Sequence, residues 1–536
     1  MHEIITLQLG QQSNYLATHF WNTQESYFTY SENEESLVDH DVHWRPGVGA
    51  DGAETFMPRT VIYDLKGGFG SLRKINALYA DQDEGEGIAS QALWNGPTVL
   101  HKDPPIAPSA YQQSLGVDDT PAPLTTSSVR YWSDFSRVYY HPRSAVQLSE
   151  FELGSQLMPF ERHDSGEEFF AALDREHDVV DRDLRLFIEE ADQMQGIQVF
   201  AGMDDAWGGF AAKYLERLRD EYGKTAIWVW GTQGGVGGLT RVGWRVGDKR
   251  MLRLANKARA ITDMYKQASV VIPLALPASL PKSIVLDYTS HWHTSALLAA
   301  AIESITLPTR LKDPANQDTL SNMADTLNTM GKQNVAGLQM SFADPDKTTS
   351  PTTTSTDPRA PGGGWQITED HLSEGLSLDL HFTPSDELNP HRRTGAPAKI
   401  PRVFSQLIAS RGFPPQETAD PGAEADQDLR NHRRRRPAHE PVTRIYETTL
   451  AFPLLDSFPP IFRRPSDPDT PLTATINITS SLSTNTAVSD RLKTLRTTVA
   501  RSIGVEDREA LGNELAEMAD EYHEGWSSGT DDGEDD

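Results

Sequence analysis

Short, almost uninterrupted apolar runs alternate with stretches of helical period, and this alternation constrains the fold more than any other feature of the chain. Ile197-Gln198-Val199-Phe200, Ala226-Ile227-Trp228-Val229-Trp230 and Ser269-Val270-Val271-Ile272-Pro273-Leu274 are too short for helices and too continuously apolar for strands with one wet face. Between them, Phe210 to Tyr222 and Met251 to Gln267 repeat their apolar residues at helical spacing. Strands buried on both faces and separated by helices make a parallel sheet covered on each side. Such sheets take ligands at the carboxyl ends of their strands. Gly223 is expected to stop the first of these helices in a left-handed conformation. A long amphipathic helix is expected from Glu167 to Met194, carrying Phe169, Phe170, Leu173, Val180, Leu184, Phe187 and Ile188 on one face.

The same grammar opens the chain. Glu3 to Leu9 reads as a strand, Gly10 ends it, and Gln11 to Trp21 reads as a helix. Pro58 to Leu65 is a second buried strand ending in Gly67-Gly68. Residues 80–128 are rich in Gly, Pro, Asp and Ser and read as long loops. The expected organisation is an α/β domain over 1–275, a second α+β domain over 276–480, and a C-terminal helical segment with an acidic tail over 481–536. The second domain should hold a helix over Ser295 to Ile305, strands at Val335 to Phe342, Val442 to Phe452 and Leu472 to Thr479, and polar insertions at 344–364 and 412–440. A last helix is expected from Glu506 to His523.

Bulk properties exclude several classes of function. The 536 residues carry no cysteine, which removes disulfides, thiolate metal sites and cysteine nucleophiles. A net charge of −28 disfavours direct contact with nucleic acid. Nine carboxylates and no Lys or Arg lie between Glu517 and Asp536, an acidic tail suited to a solvated surface or a basic partner. No run approaches the ~18 apolar residues of a membrane helix. The first residues lack the pattern of a secretory signal or a mitochondrial presequence, so any tie to an organelle is expected from the cytosolic side.

A strand, a sharp turn at Gly10-Gln11-Gln12-Ser13-Asn14 and a helix make the geometry of a phosphate loop. Glycine admits the anion to the backbone, and the helix start offers free N–H groups. This opening, with Phe20-Trp21 after it, resembles the first strand, phosphate loop and helix of tubulin. Gly10, Gln11 and Asn14 match the tubulin turn, while Gln12, Ser13 and Tyr15 depart from it. Pro58 to Leu65 resembles the tubulin strand leading to another nucleotide loop, here Gly67-Gly68. Phe200 to Gly223 resembles the segment with the tubulin Gly-Gly-Gly-Thr-Gly-Ser-Gly signature, which becomes Met203-Asp204-Asp205-Ala206-Trp207-Gly208-Gly209. Two carboxylates then face a polyanion, and like charges ~4 Å apart repel by ~4 kcal/mol at an effective dielectric near 20. The tubulin loop that completes a neighbour's nucleotide site corresponds to Ser321 to Asn328, where Asp325 matches but Leu327 or Asn328 replaces the glutamate.

Decay of the signature, polar insertions and the segments Trp292 to Leu297 and Ala516 to Tyr522 are similar to the Misato family of tubulin- and FtsZ-related proteins. The resemblance implies a tubulin-like fold and a role in mitochondrial distribution, morphology and inheritance of mitochondrial DNA in fungi. It implies protein partners at the mitochondrial outer surface or the cytoskeleton, and residence at mitochondria and in the cytoplasm. If GTP or GDP is retained, Gly10, Gln11, Gln12, Asn14, Gly67, Gly68, Gly208 and Gly209 are the residues expected to touch it. No catalytic residue and no metal ligand is expected. The alternative that the resemblance leaves open is a GTP-binding, polymerising GTPase. Gly234 to Gly238 is expected to be a surface turn, His291 and His293 to be structural, and Arg433 to Arg436 to be a solvated loop.

Overall fold

The fold was analysed in a computed structural model, which describes residues 3–29, 35–48, 54–72, 106–115, 121–234, 244–277, 279–343, 378–384, 401–413, 441–464, 467–502 and 505–523. The insertion at 344–364, Arg433 to Arg436, most of the Gly234 to Gly238 turn and the tail beyond residue 523 lie outside these residues.

Six parallel strands form the first sheet: β1 (Glu3–Leu9), β2 (Thr60–Lys66), β3 (Ala145–Glu152), β4 (Met194–Gly202), β5 (Ala226–Thr232) and β6 (Val270–Pro273). Their order is β3-β2-β1-β4-β5-β6. Every residue of β1 and β5 is buried, as the apolar runs require of strands covered on both faces. Helix α1 (Gln11–Glu25) covers one face, and α2 (His163–His177), α3 (Ala206–Glu221) and α4 (Trp244–Gln267) belong to the other.

Helix α5 (His291–Thr306) is buried almost throughout and packs between α1 and a second sheet. That sheet contains Gly337–Ala343, Leu380–His381, Val403–Arg411, Val442–Thr448 and the long strand Thr475–Asn485. One apolar cluster runs from Phe20 and Trp228 through Ala300 and Ile305 to Leu338, Leu407 and Leu482, so both sheets share a core. Helix α6 (Leu320–Leu327) abuts the amino ends of β4 and β5. Trp228 Nε1 donates to Leu320 O at 3.1 Å, and Leu320 N donates to Gln195 Oε1 at 2.9 Å. The last helices, α7 (Ala487–Ser502) and α8 (Val505–Asp520), return to pack on α4. Met518, Ala519 and Tyr522 are buried there, so the acidic stretch begins inside a packed helix.

Three local expectations are corrected. The helix expected from Glu167 to Met194 ends at His177, where Asp178 turns to φ 47. A π-helical turn, Val180–Leu184, and a short helix, Arg185–Glu189, follow, and Met194 begins β4. The apolar period runs on because both pieces lie against the same face of the sheet, with Phe170, Val180, Leu184 and Phe187 in one cluster. Aspartate tolerates the left-handed region, and Asp174 Oδ1 accepts from Val179 N at 2.9 Å to turn the chain. Gly223 does not take a left-handed conformation. Instead α3 ends at Tyr222 with φ −116 and ψ 54, and the Arg219 guanidinium gathers the carbonyls of Gly223, Thr225 and Gln267. Residues 110–114 of the expected loop region form a short helix, capped by Ser109.

Candidate functional site

A cavity of about 320 Å³ lies where the parallel strands end. Leu9 and Gly10 enter it from β1, Leu65 from β2, Gly202 with Asp204 and Asp205 from the turn after β4, and Gly234 from beyond β5. This is where an open α/β sheet places a ligand. Gly10 takes φ 88, which only glycine adopts without strain, and α1 begins at once with Asn14 N donating to Gly10 O at 2.9 Å. The turn therefore passes from strand to helix through a single glycine.

Its upper surface is occupied by protein. A Cβ on Gly10 would lie 2.4 Å from Trp207 Nε1, so the indole rests on the glycine backbone. Trp207 is 6% exposed, with its ring 5.2 Å from that of Phe160 and 5.6 Å from that of Phe210. The helix start facing the cavity is also taken. Asp205 Oδ1 accepts from Trp207 N at 2.9 Å, placing a carboxylate on the N–H groups and positive dipole end that a phosphate would use. Asp204 Oδ2 accepts from Gly234 N at 3.0 Å and lies 4.0 Å from Arg253 Nε. Burial, then the Asp204 charge, pushes the Asp205 carboxyl up to about 7. Burial also raises Asp204, against the pull of Arg253.

The lining holds Asp64, Glu152, Glu161, Asp204 and Asp205 against Lys249 and Arg253. Lys249 Nζ is paired with Glu161 at 2.8 Å. A triphosphate entering this cavity would meet an excess of carboxylates.

The residues named from the sequence divide. Gly10, Gln11 and Gln12 line the cavity, but the side-chain amides serve the protein: Gln11 Nε2 donates to Gly68 O at 3.3 Å and Gln12 Nε2 to Gln233 O at 3.0 Å. Asn14 is fully buried and turns toward β2, donating to Asp64 Oδ2 at 2.8 Å and Tyr63 O at 3.3 Å. Leu65 N and Trp132 Nε1 also donate to Asp64, and burial pushes its carboxyl up to about 6 against these bonds. Gly68 packs on the Asp64 carboxylate, and Gly67 takes φ 86 in the same turn; neither is among the cavity residues.

Gly208 and Gly209 face away from the cavity. A Cβ on Gly209 would lie 2.0 Å from His163 O, and one on Gly208 would lie 3.1 Å from Ala260 Cβ. Gly166, opposite on α2, is equally tight, its Cβ position being 1.8 Å from Ala206 O. These glycines bring helix backbones together. The geometry here depends on Trp207, Phe160, Lys249 and Arg253. Only Trp207 carried a sequence signal, as bulk within a glycine signature. At the opposite end of the sheet, Asp325 is exposed on α6, Leu327 is buried, and Asn328 Oδ1 accepts from Gln333 N at 2.6 Å. His291 lines the cavity with its ring 5.6 Å from Tyr15, while His293 Nδ1 accepts from Asp287 N at 3.3 Å.

A pH prediction follows from the acid pair. A carboxyl whose folded pKa lies above its unfolded value favours folding at low pH, and that contribution disappears as pH rises through the folded pKa. Asp205→Asn keeps a capping oxygen and removes the titration. Its stability relative to the parent chain is therefore expected to rise between about pH 4 and pH 7. Urea midpoints measured across that range check this; a constant difference would show that Asp205 ionises normally.

Comparison with known proteins agrees with the fold. A family model described as a Misato Segment II tubulin-like domain matches residues 2–117, and one described as a tubulin domain matches residues 121–311. Protein dml-1 of Neurospora crassa is 62% identical over 551 residues, covering 100% of both chains. Protein DML1 of Gibberella zeae is 48% identical over 540 residues, again covering 100% of both. Protein misato homolog 1 of Bos taurus is 31% identical over 384 residues, which are 63% of this chain and 65% of that one. With its six-stranded parallel sheet, its glycine turn at Gly10 and full-length relatives of this kind, the chain belongs to the Misato/DML1 family of tubulin-like proteins.

Proposed function

We propose that this chain is a non-enzymatic, tubulin-like scaffold that acts from the cytosolic side in the partitioning of mitochondria, and through it in the inheritance of mitochondrial DNA. The supporting observation is the packing of Trp207 on Gly10, with Asp205 already capping α3. Both features that would receive phosphate are occupied by side chains of the protein itself. The tubulin fold then serves through its surfaces. Its partners are proteins of the mitochondrial outer surface or the cytoskeleton, and the chain resides at mitochondria and in the cytoplasm. The sequence resemblance to the Misato family supports the mitochondrial part of this reading.

The test is nucleotide occupancy of gently purified, full-length protein, read by ion-exchange chromatography after denaturation. No bound GTP or GDP is expected, and no magnesium-dependent GTP hydrolysis above buffer. The double variant Trp207→Gly, Asp205→Gly is expected to gain a thermal shift with GTP that the parent chain lacks. Near-stoichiometric nucleotide in the parent chain, with GTP-dependent sedimentation, would favour a polymerising GTPase instead. The mitochondrial part is tested separately, by depleting the chain in its own cells and scoring mitochondrial shape and DNA retention. Unchanged organelles would sink it.

A further inference from the structure

Outside the cavity, at the start of α2, His163, Asp164 and Glu167 each present a donor atom, and the three atoms lie within 4.8 Å of one another. Acidic residues close together on a surface are commonplace. The imidazole makes this cluster different. His163 is 1% exposed, yet among the described residues neither of its ring nitrogens has a partner within hydrogen-bond distance. Nδ1 faces the Glu167 carboxylate at 3.6 Å, and Nε2 faces that of Asp263, on α4, at 3.7 Å. Both carboxylates thus stand just beyond hydrogen-bond reach of a buried ring.

The separation of His163 Nδ1 from Glu167 suits a shared cation better than a hydrogen bond. Two donors each ~2.1 Å from a tetrahedral metal ion stand ~3.4 Å apart, close to the separation of His163 Nδ1 from Glu167. We propose that His163, Asp164 and Glu167 hold a divalent transition-metal ion of the zinc class, with Asp263 orienting the imidazole from its far side. One imidazole and two carboxylates form a mixed nitrogen and oxygen set suited to such ions. Asp263 fills the place of the carboxylate that commonly accepts from the second ring nitrogen of a metal-bound histidine. Asp164 is also held by two arginines, Arg259 at Oδ1 and Arg162 at Oδ2, the latter at 3.3 Å, so an ion would share this carboxylate with them. The Asp164 and Glu167 side chains are 39% and 32% exposed, so an ion can reach them from solvent.

The position of the cluster gives the ion a structural role. His163 N donates to Asn256 Oδ1 at 3.1 Å, and Asn256 Nδ2 donates to Asp204 O at 3.0 Å and Glu161 O at 2.7 Å. An ion here would tie α2 to the same turn that carries Asp204 and Asp205. This inference is independent of whether nucleotide binds.

The test uses the full-length chain, stripped with EDTA and titrated with zinc chloride alone by calorimetry. One saturable equivalent is expected, and the melting temperature should rise with zinc. Glu167→Gln, at a partly exposed position, should weaken zinc at least ~10-fold, and Asp263→Asn by ~10-fold or more. With cobalt in place of zinc, Asp263→Asn should also alter the visible absorption bands, which a loss of packing alone would not do. His163→Gln should abolish the specific equivalent; if it fails to fold, the Glu167 and Asp263 variants carry the comparison. No saturable uptake, or uptake equal in the parent chain and in both carboxylate variants, would overturn the proposal.

Discussion

Glu303→Ala is expected to lower the unfolding free energy by ~3–5 kcal/mol, the range for removing one partner of a buried ion pair. Glu303 lies on α5 with no exposed surface, and Arg310 and Arg411 are as deeply buried. One carboxylate oxygen accepts from Arg310 Nη2 at 2.8 Å, Tyr27 OH at 2.8 Å and Gln24 Nε2 at 3.2 Å; the other accepts from Arg411 Nη1. Arg411 also donates to Tyr27 OH and to the carbonyls of Leu450 and Ala451. The group joins α1, α5 and the second sheet, so deleting the carboxylate strands two guanidinium ions where the two sheets share their core. Burial pushes the Glu303 carboxyl up, but Arg411 and Arg310 outweigh it and hold it below the usual range. Its stabilisation is then complete above the unfolded pKa and fades as pH falls through the depressed folded value. Urea unfolding followed by tryptophan fluorescence measures the loss at neutral pH. A change under ~1 kcal/mol would mean that water reaches the arginines. Glu303→Gln, which keeps the shape and one acceptor oxygen, separates the charge from the packing.

Gly209→Ala is expected to cost ~2–3 kcal/mol, although alanine is the better helix former by ~1 kcal/mol. The added carbon would fall 2.0 Å from His163 O and 3.0 Å from Glu167 N. Both neighbours are backbone, so no rotamer change relieves the overlap and α2 must move away from α3. Gly166→Ala should behave alike from the other helix. Gly512, on α8, is the control: among the described residues a Cβ there meets nothing within 4 Å, and Gly512→Ala should stabilise by ~1 kcal/mol. Thermal unfolding of the three variants in nucleotide-free buffer decides the matter. A harmless Gly209→Ala would mean that the glycine is kept for something other than the helix seam.

These two cases mark where the sequence was readable. The strands were legible because burial on both faces leaves a continuous apolar run, and the turn at Gly10 because a left-handed residue at the end of a strand demands glycine. The resemblance to tubulin assigns Gly10, Gln11 and Gln12 to a phosphate loop, and in the structure they line the cavity. Gly208 and Gly209 resembled the remnant of a phosphate signature. Their work lies in the seam with α2 and α4, contacts that no spacing within the segment discloses. The α2 period ran unbroken through Asp178 because both pieces bury the same face, and the interruption is carried by hydrogen bonds rather than hydrophobicity.

By itself, then, the sequence determined what is local. It set the alternation of strand and helix, the glycine at the head of α1, the loss of a bare glycine loop and the absence of thiol chemistry. Tertiary structure alone decided what each survivor does. Trp207 became a cover for a residue 197 positions earlier, Asp205 a substitute anion on its own helix, and Glu303 a junction for Tyr27 and Arg411. The physical reason is range. Backbone conformation and apolar period are written within a few residues, whereas desolvation, charge pairing and close backbone approach depend on groups that only folding brings together.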